Sequence, residues 1–121
     1  MNTKQCTILI IDDDLDLCRI LRVYLGSFCQ VEVGHSLQDA QSALASQPTL
    51  LLLDNSLPDG FGIEHIEEIK KMHVNTKVVI MTADEGADLR KRAIDAGAAY
   101  FLQKPFKVSE VKDIIPGLLR A

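Results

Sequence analysis

The 121 residues suffice for one domain, and 47% apolar residues suffice for a single buried core. A count of 13 Lys and Arg against 17 Asp and Glu gives a formal charge of −4, the reverse of the basic footprint that a nucleic-acid binder needs. The longest apolar stretches, "TLLLL" and "KVVIMTA", fall far short of the roughly 18 residues of a membrane span, and "MNTKQC" carries no secretory signal, so a cytoplasmic protein without membrane contact is expected.

In chain order, "TILII" (7–11) reads as a buried strand and runs straight into "DDDLD", with four aspartates between positions 12 and 16. Leu17, Ile20, Leu21 and Leu25 follow at helical spacing and predict a first helix that Gly26 ends. After "QVEV" (30–33), Ser36 and Asp39 form a capping-box-like start to a second helix carrying Ala40, Ala43 and Leu44. "TLLLLD" (49–54) is the third strand, and Ile63, Ile66 and Ile69 mark the third helix. "KVVIMT" (77–82) is the fourth strand, followed by a helix from about Asp84 to Ala96 with Leu89, Ala93 and Ala96 inward and Gly97 as its stop. "AYFLQ" (99–103) is the fifth strand, and a last helix starts near Ser109. Pro116 is expected to kink or end that helix, because proline lacks a backbone donor and clashes one turn back.

Cys6, Cys18 and Cys29 form an odd set without a CxxC pair or a nearby histidine at ligand spacing, and they read as three free thiols in a reducing compartment. His35, His65 and His73 show no ligand spacing either and read as surface or satisfied residues.

Strict alternation of strand and helix implies right-handed crossovers and a parallel sheet covered on both faces. The expected architecture is an α/β, doubly wound (βα)5 domain over residues 1–121. In such a sheet the chemistry lies outside the carboxyl ends of the strands. Those ends carry Asp12 and Asp13, Asp54, Thr82, and Lys104 just before Pro105.

Three carboxylates on one rim repel one another unless some stay protonated or a cation joins them. All-oxygen donors suit a hard ion, with Mg²⁺ the natural candidate, and an ion held mainly by two or three acids keeps room for phosphoryl oxygens. Thr82 and Lys104 could contact further phosphoryl oxygens. Asp14 and Asp16 read instead as helix-starting residues, placing negative charge at the first helix's N-terminus.

The acidic pair Asp12 and Asp13, Asp54 in "LLLLDNSLPDGFG", Thr82 in "VIMTA" and Lys104 in "LQKPF" together resemble the CheY-like receiver domain of two-component response regulators. Pro58 and Gly62 also fall where that pattern expects them, and the resemblance covers roughly residues 6 to 120. It implies a flavodoxin-like fold with a five-stranded parallel sheet of order 2-1-3-4-5, and a phosphoryl group accepted by Asp54 from the phosphohistidine of a sensor histidine kinase or phosphotransfer protein. It implies Mg²⁺ held by Asp13, Asp54 and the backbone carbonyl of Ser56, with Asp12 helping through water. Lys104 would pair with Asp54 or its phosphate, and Lys104-Pro105 would be a cis peptide.

Thr82 and Phe101 would form the switch that reshapes the surface of the fourth helix, fifth strand and fifth helix, the surface through which such domains can also form homodimers. Ser56 and Asp84 stand where the family tunes phosphate lifetime. Phe101 replaces the frequent tyrosine and lacks its hydroxyl, while Tyr100 falls on the opposite face of the strand. As an alternative to the switch, both aromatics read as packing residues. The chain would catalyse only its own phosphorylation and dephosphorylation, either alone or as part of a larger regulator, with no nucleic-acid contact of its own.

Other readings fit less well. An EF-hand would want glycine and glutamate where Leu17 and Val23 stand. A haloacid-dehalogenase-type phosphatase would use Asp12 as nucleophile in Asp-x-Asp-x-Thr/Val, and Asp16 ends that motif wrongly. An FMN binder needs a phosphate-cradling first loop that four aspartates would oppose. A pseudo-receiver, an interaction module that never takes phosphate, would be expected to lose pocket residues that this chain keeps.

Overall fold

A computed structural model describes residues 6–119. Its elements, in order, are β1 (Thr7–Ile11), α1 (Leu15–Leu25), β2 (Gln30–Gly34), α2 (Leu37–Ala43), β3 (Leu50–Asp54), β4 (Ser56–Leu57), β5 (Gly60–Phe61), α3 (Ile66–Met72), β6 (Lys77–Thr82), α4 (Ala87–Ala96), β7 (Tyr100–Gln103) and α5 (Val108–Leu119). The five long strands are parallel in the order β2-β1-β3-β6-β7, the order expected for the five sheet strands. β4 and β5 form a short antiparallel hairpin that the apolar runs did not reveal.

Side chains alternate across the sheet because successive residues of a strand point to opposite faces. Leu9, Ile11, Leu51, Leu53, Val78, Ile80 and Phe101 pack with residues of α2, α3 and α4, including Ala40, Ile66, Ile69, Leu89 and Ala93. Ile8, Ile10, Leu50, Leu52, Val79, Met81 and Leu102 pack on the other side with Cys18, Leu21 and Leu25 of α1 and Val111 and Ile115 of α5. Both faces of β1 and β3 are therefore dry, which accounts for their unbroken apolar runs. β1 leads out to edge strand β2, and the chain then crosses back to β3 on its other side. That reversal opens a crevice between the ends of β1 and β3.

Local chemistry fixes the helix starts. Asp14 caps α1 by accepting from the backbone N–H groups of Asp16 and Leu17, each at 3.1 Å. Ser36 caps α2 by accepting from Asp39 N at 3.0 Å, while the Asp39 carboxylate reaches back to His35 N at 2.9 Å. Asp59, in the turn of the β4–β5 hairpin, accepts from Leu37 N at 2.8 Å and Gln38 N at 3.0 Å, so a second segment also serves the start of α2.

Several sequence expectations shift. α4 begins at Ala87 rather than near Asp84, because Asp84 spends its carboxylate on Gly86 N at 2.8 Å and Gly86 is extended. Ile20 lies exposed, since the buried stripe of α1 is Cys18, Leu21 and Leu25. α5 continues through Pro116 to Leu119. Pro116 stands on the exposed side, where water can serve the carbonyl that proline leaves without a donor.

The three cysteines are not all free. Cys6 and Cys29 form a disulfide with a Cα–Cα distance of 4.9 Å, and Cys18 is a buried free thiol. Each of the bridged residues stands one place ahead of the paired residues Thr7 and Gln30, and Gln30 N donates to Cys6 O at 2.8 Å. Parallel pairing brings together two residues that are 23 apart in the chain.

Candidate functional site

The aspartate run divides by role. Asp14 and Asp16 belong to α1, with Asp16 3.7 Å from Arg19 in an exposed ion pair. Asp12 and Asp13 stay at the rim. Asp12 is fully buried, Asp54 is buried and Asp13 is exposed, and all three offer carboxylate oxygens within 4.8 Å of one another.

Lys104, delivered by β7, completes the cluster. Its Nζ lies 2.7 Å from Asp12 Oδ2 and 3.3 Å from Asp54 Oδ1. The lysine expected to pair with Asp54 thus makes its shorter bond to Asp12, the more deeply buried carboxylate. Lys104-Pro105 is cis.

One ammonium against three carboxylates leaves an excess of negative charge, which adds to the effect of burial on Asp54. Burial, followed by the negative charge of Asp12, pushes Asp54 up from 3.8 to about 6, against the opposing pull of Lys104 and a hydrogen bond from the Ser56 backbone. Burial alone would lower Lys104, but the hydrogen bond and charge of Asp12, and then Asp54, outweigh it and hold the ammonium above its ordinary value. Cys18, 3.3 Å from Asp12 O, is pushed up to about 11 by burial and by the charges of Asp12 and Asp14. It is a structural thiol rather than a nucleophile.

Thr82 ends β6 beside Asp54, since Asp54 is in register with Met81 one residue earlier. Its buried Oγ1 accepts from Asp84 N at 3.0 Å, and its carbonyl accepts from Lys104 N at 2.7 Å. Phe101, in register with Ile80, is only 4% exposed, and the Arg90 guanidinium of α4 lies 4.7 Å from its ring centroid. Tyr100 packs into the opposite layer, as strand alternation requires. Ser56 lies exposed in the hairpin, next to the acidic rim. A cleft of about 390 Å³ between α2 and α3 contains none of these residues.

The model of the response regulator receiver domain family matches residues 8–116. The chain belongs to that family. This receiver domain is 30% identical over 117 residues to sporulation initiation phosphotransferase F of Bacillus subtilis, a match covering 95% of the chain and 92% of the relative. It is 32% identical over 114 residues to the response regulator protein PilR of Pseudomonas aeruginosa, covering 93% of the chain and 26% of the relative. The chain spans only about a quarter to a half of the first curated relatives it matches. A two-component response regulator from Clostridium difficile superposes with a TM-score of 0.90 at 25% identity, covering 96% of this chain and 97% of that one.

Within the receiver domain, two supports of the rim escaped the sequence reading. Asn55 is buried, donates its N–H to Met81 O at 2.9 Å, and accepts from Gly62 N at 2.8 Å and, through Oδ1, from Ile63 N at 2.9 Å. It ties the residue after Asp54 to both β6 and the start of the 3₁₀ turn at Gly62–His65. The only available signal was a polar residue directly after a strand-ending acid. Gly62 explains itself by space, because a Cβ there would meet Asp54 O at 2.6 Å and Leu53 Cγ at 2.9 Å. The second support is His35, exposed and hydrogen-bonded as expected of a surface or satisfied residue, whose unforeseen partner is the Asp12 carbonyl, 2.9 Å from Nδ1.

Proposed function

We propose that this receiver domain accepts a phosphoryl group on Asp54 from the phosphohistidine of a sensor histidine kinase or phosphotransfer protein. The observation that carries this reading is the convergence of a buried Asp54 with Asp12, Asp13 and the Lys104 ammonium on one strand-end rim.

A hard-oxygen donor set with unbalanced negative charge fits Mg²⁺, which Asp13, Asp54 and the Ser56 backbone carbonyl would hold, with Asp12 helping through water. When bound, Mg²⁺ supplies positive charge against the carboxylates and the phosphoryl oxygens. An Asp54 carboxylate oxygen attacks phosphorus while the P–N bond breaks, its electron pair passing to the imidazole nitrogen, which takes up a proton. The ionised carboxylate needs no general base, and Lys104 stands close enough to balance charge on the transferred group.

Thr82 then links the site to α4. The Asp84 bond uses an oxygen lone pair and leaves the hydroxyl hydrogen free for a phosphoryl oxygen, and a turn of the side chain toward that oxygen would stretch the bond from Asp84 N and loosen the segment that leads into α4. Ser56 and Asp84, flanking the site, tune how long the phosphate lasts. Phe101 is already inward beneath Arg90, so movement of Thr82 acts first on the Asp84 segment rather than on the ring. The shifted population would present an altered α4–β7–α5 surface, through which a downstream partner or a second copy binds.

The function extends to the whole of residues 1–121 as one receiver domain acting in the cytoplasm, turning over only its own phosphate and making no nucleic-acid contact. Among the described residues, no helix is long and apolar enough to cross a membrane. The phosphatase reading would need Asp14 near the reacting group, whereas its carboxylate is committed to the α1 cap.

Borohydride reduction of the acyl phosphate, followed by peptide mass mapping, identifies the nucleophile. Conversion of Asp54 to homoserine is expected. Conversion of Asp12 would favour the phosphatase chemistry instead.

A further inference from the structure

The backbone of Asp12 is gripped from both sides. Its N–H donates to Gly34 O at 3.1 Å, while its carbonyl accepts from the Cys18 thiol at 3.3 Å and lies 2.9 Å from His35 Nδ1. A carbonyl can only accept, so His35 Nδ1 carries the hydrogen. The two donors fix the peptide plane joining Asp12 to Asp13.

The side chain of Asp12 is just as firmly placed, with Oδ1 on Asp14 N at 2.9 Å and Oδ2 on Lys104 at 2.7 Å. Asp13 differs: it is exposed, so the place of its carboxylate depends on its backbone rather than on packing. The brace therefore acts where the cluster is least constrained.

His35 is itself well anchored. Its backbone N–H donates to Asp39 Oδ2 at 2.9 Å, and the preceding Gly34 sits so close that a Cβ would meet Asp39 Cβ at 2.7 Å and Ile11 Cδ1 at 2.8 Å. The β2–α2 connection is thus pressed against the end of β1. The His35 side chain remains exposed and replaceable without opening the core.

We propose that His35 is a positioning residue for the acidic rim: its Nδ1–H bond to the Asp12 carbonyl sets the peptide plane that holds the Asp13 carboxylate beside those of Asp12 and Asp54. The inference rests on reading those three acids as a divalent-metal site. A brace confined to stability would change melting without changing metal affinity. A positioning role changes affinity and leaves the saturated reaction intact.

The test is a Mg²⁺ titration of ¹⁵N-labelled wild type, His35→Ala and His35→Asn, followed through backbone amide shifts, with acetyl phosphate phosphorylation rates measured at limiting and saturating Mg²⁺. The expected loss of affinity in His35→Ala is about five-fold, the equivalent of one neutral hydrogen bond. Its saturated rate should equal that of wild type, and His35→Asn, whose amide nitrogen can replace Nδ1, should recover most of the affinity. Equal affinity in wild type and His35→Ala, or no recovery in His35→Asn, overturns the positioning role. Absence of Mg²⁺-dependent shifts in wild type overturns the metal reading beneath it.

Discussion

Replacing Asp54 with asparagine removes a negative charge from a buried place beside Asp12 while keeping nearly the same shape. At about 1.4 kcal/mol per pH unit, the rise from 3.8 to about 6 caps the penalty of holding Asp54 ionised at about 3 kcal/mol. Asparagine still asks the rim to satisfy a polar amide, so the expected gain without metal at about pH 7.5 is about 2 kcal/mol. Between 3.8 and about 6 the folded protein holds a proton that the unfolded chain releases, so wild-type stability falls as pH rises through that window. The variant lacks this slope, and its advantage should shrink below about 1 kcal/mol at about pH 5. Urea unfolding followed by circular dichroism in EDTA reads this directly. With a slope of about 1–3 kcal/mol per molar urea, the midpoint should rise by about 1 M at the higher pH. An equal gain at both pH values, or a loss at the higher one, would refute the assignment of strain to an ionised Asp54.

Lys104→Ala leaves the fully buried Asp12 without its cation, and a loss of about 3 kcal/mol is expected near neutral pH in the same unfolding assay. A neutral result would mean that the rim relaxes around Asp12. Gly62→Ala pushes a methyl group against Asp54 O and Leu53 and should cost about 1–3 kcal/mol, read as a lower melting temperature. Phosphorylated Thr82→Ala should still carry phosphate but lack the amide-shift changes over residues 84–96 that phosphorylated wild type shows. A full set of those changes would sink the hydroxyl relay.

How much of this was legible follows from the range of each interaction. Strand ends are local facts, and in a parallel sheet every strand exposes its carboxyl end on the same rim, so the sequence alone groups Asp12, Asp54, Thr82 and Lys104. Ser36 and Gly97 declared a helix start and stop because capping needs only neighbours, and Gly97 takes the left-handed conformation that its place as a stop suggested. The Cys6–Cys29 pairing stayed hidden because it depends on the register between two strands. The Asp59 cap on α2 and the His35 contact with Asp12 span 22 and 23 residues, and no periodicity encodes either. The preference of Lys104 for Asp12 over Asp54 was equally invisible, since relative burial separates two acids that sequence makes equivalent.

The most direct measurement is intact mass after incubation with acetyl phosphate, with and without Mg²⁺, for wild type and Asp54→Asn. Gain of a single phosphoryl mass that requires Mg²⁺ and disappears in the variant is the result expected of Asp54 as phosphoacceptor. No gain in wild type, or a gain that persists in Asp54→Asn, would contradict it.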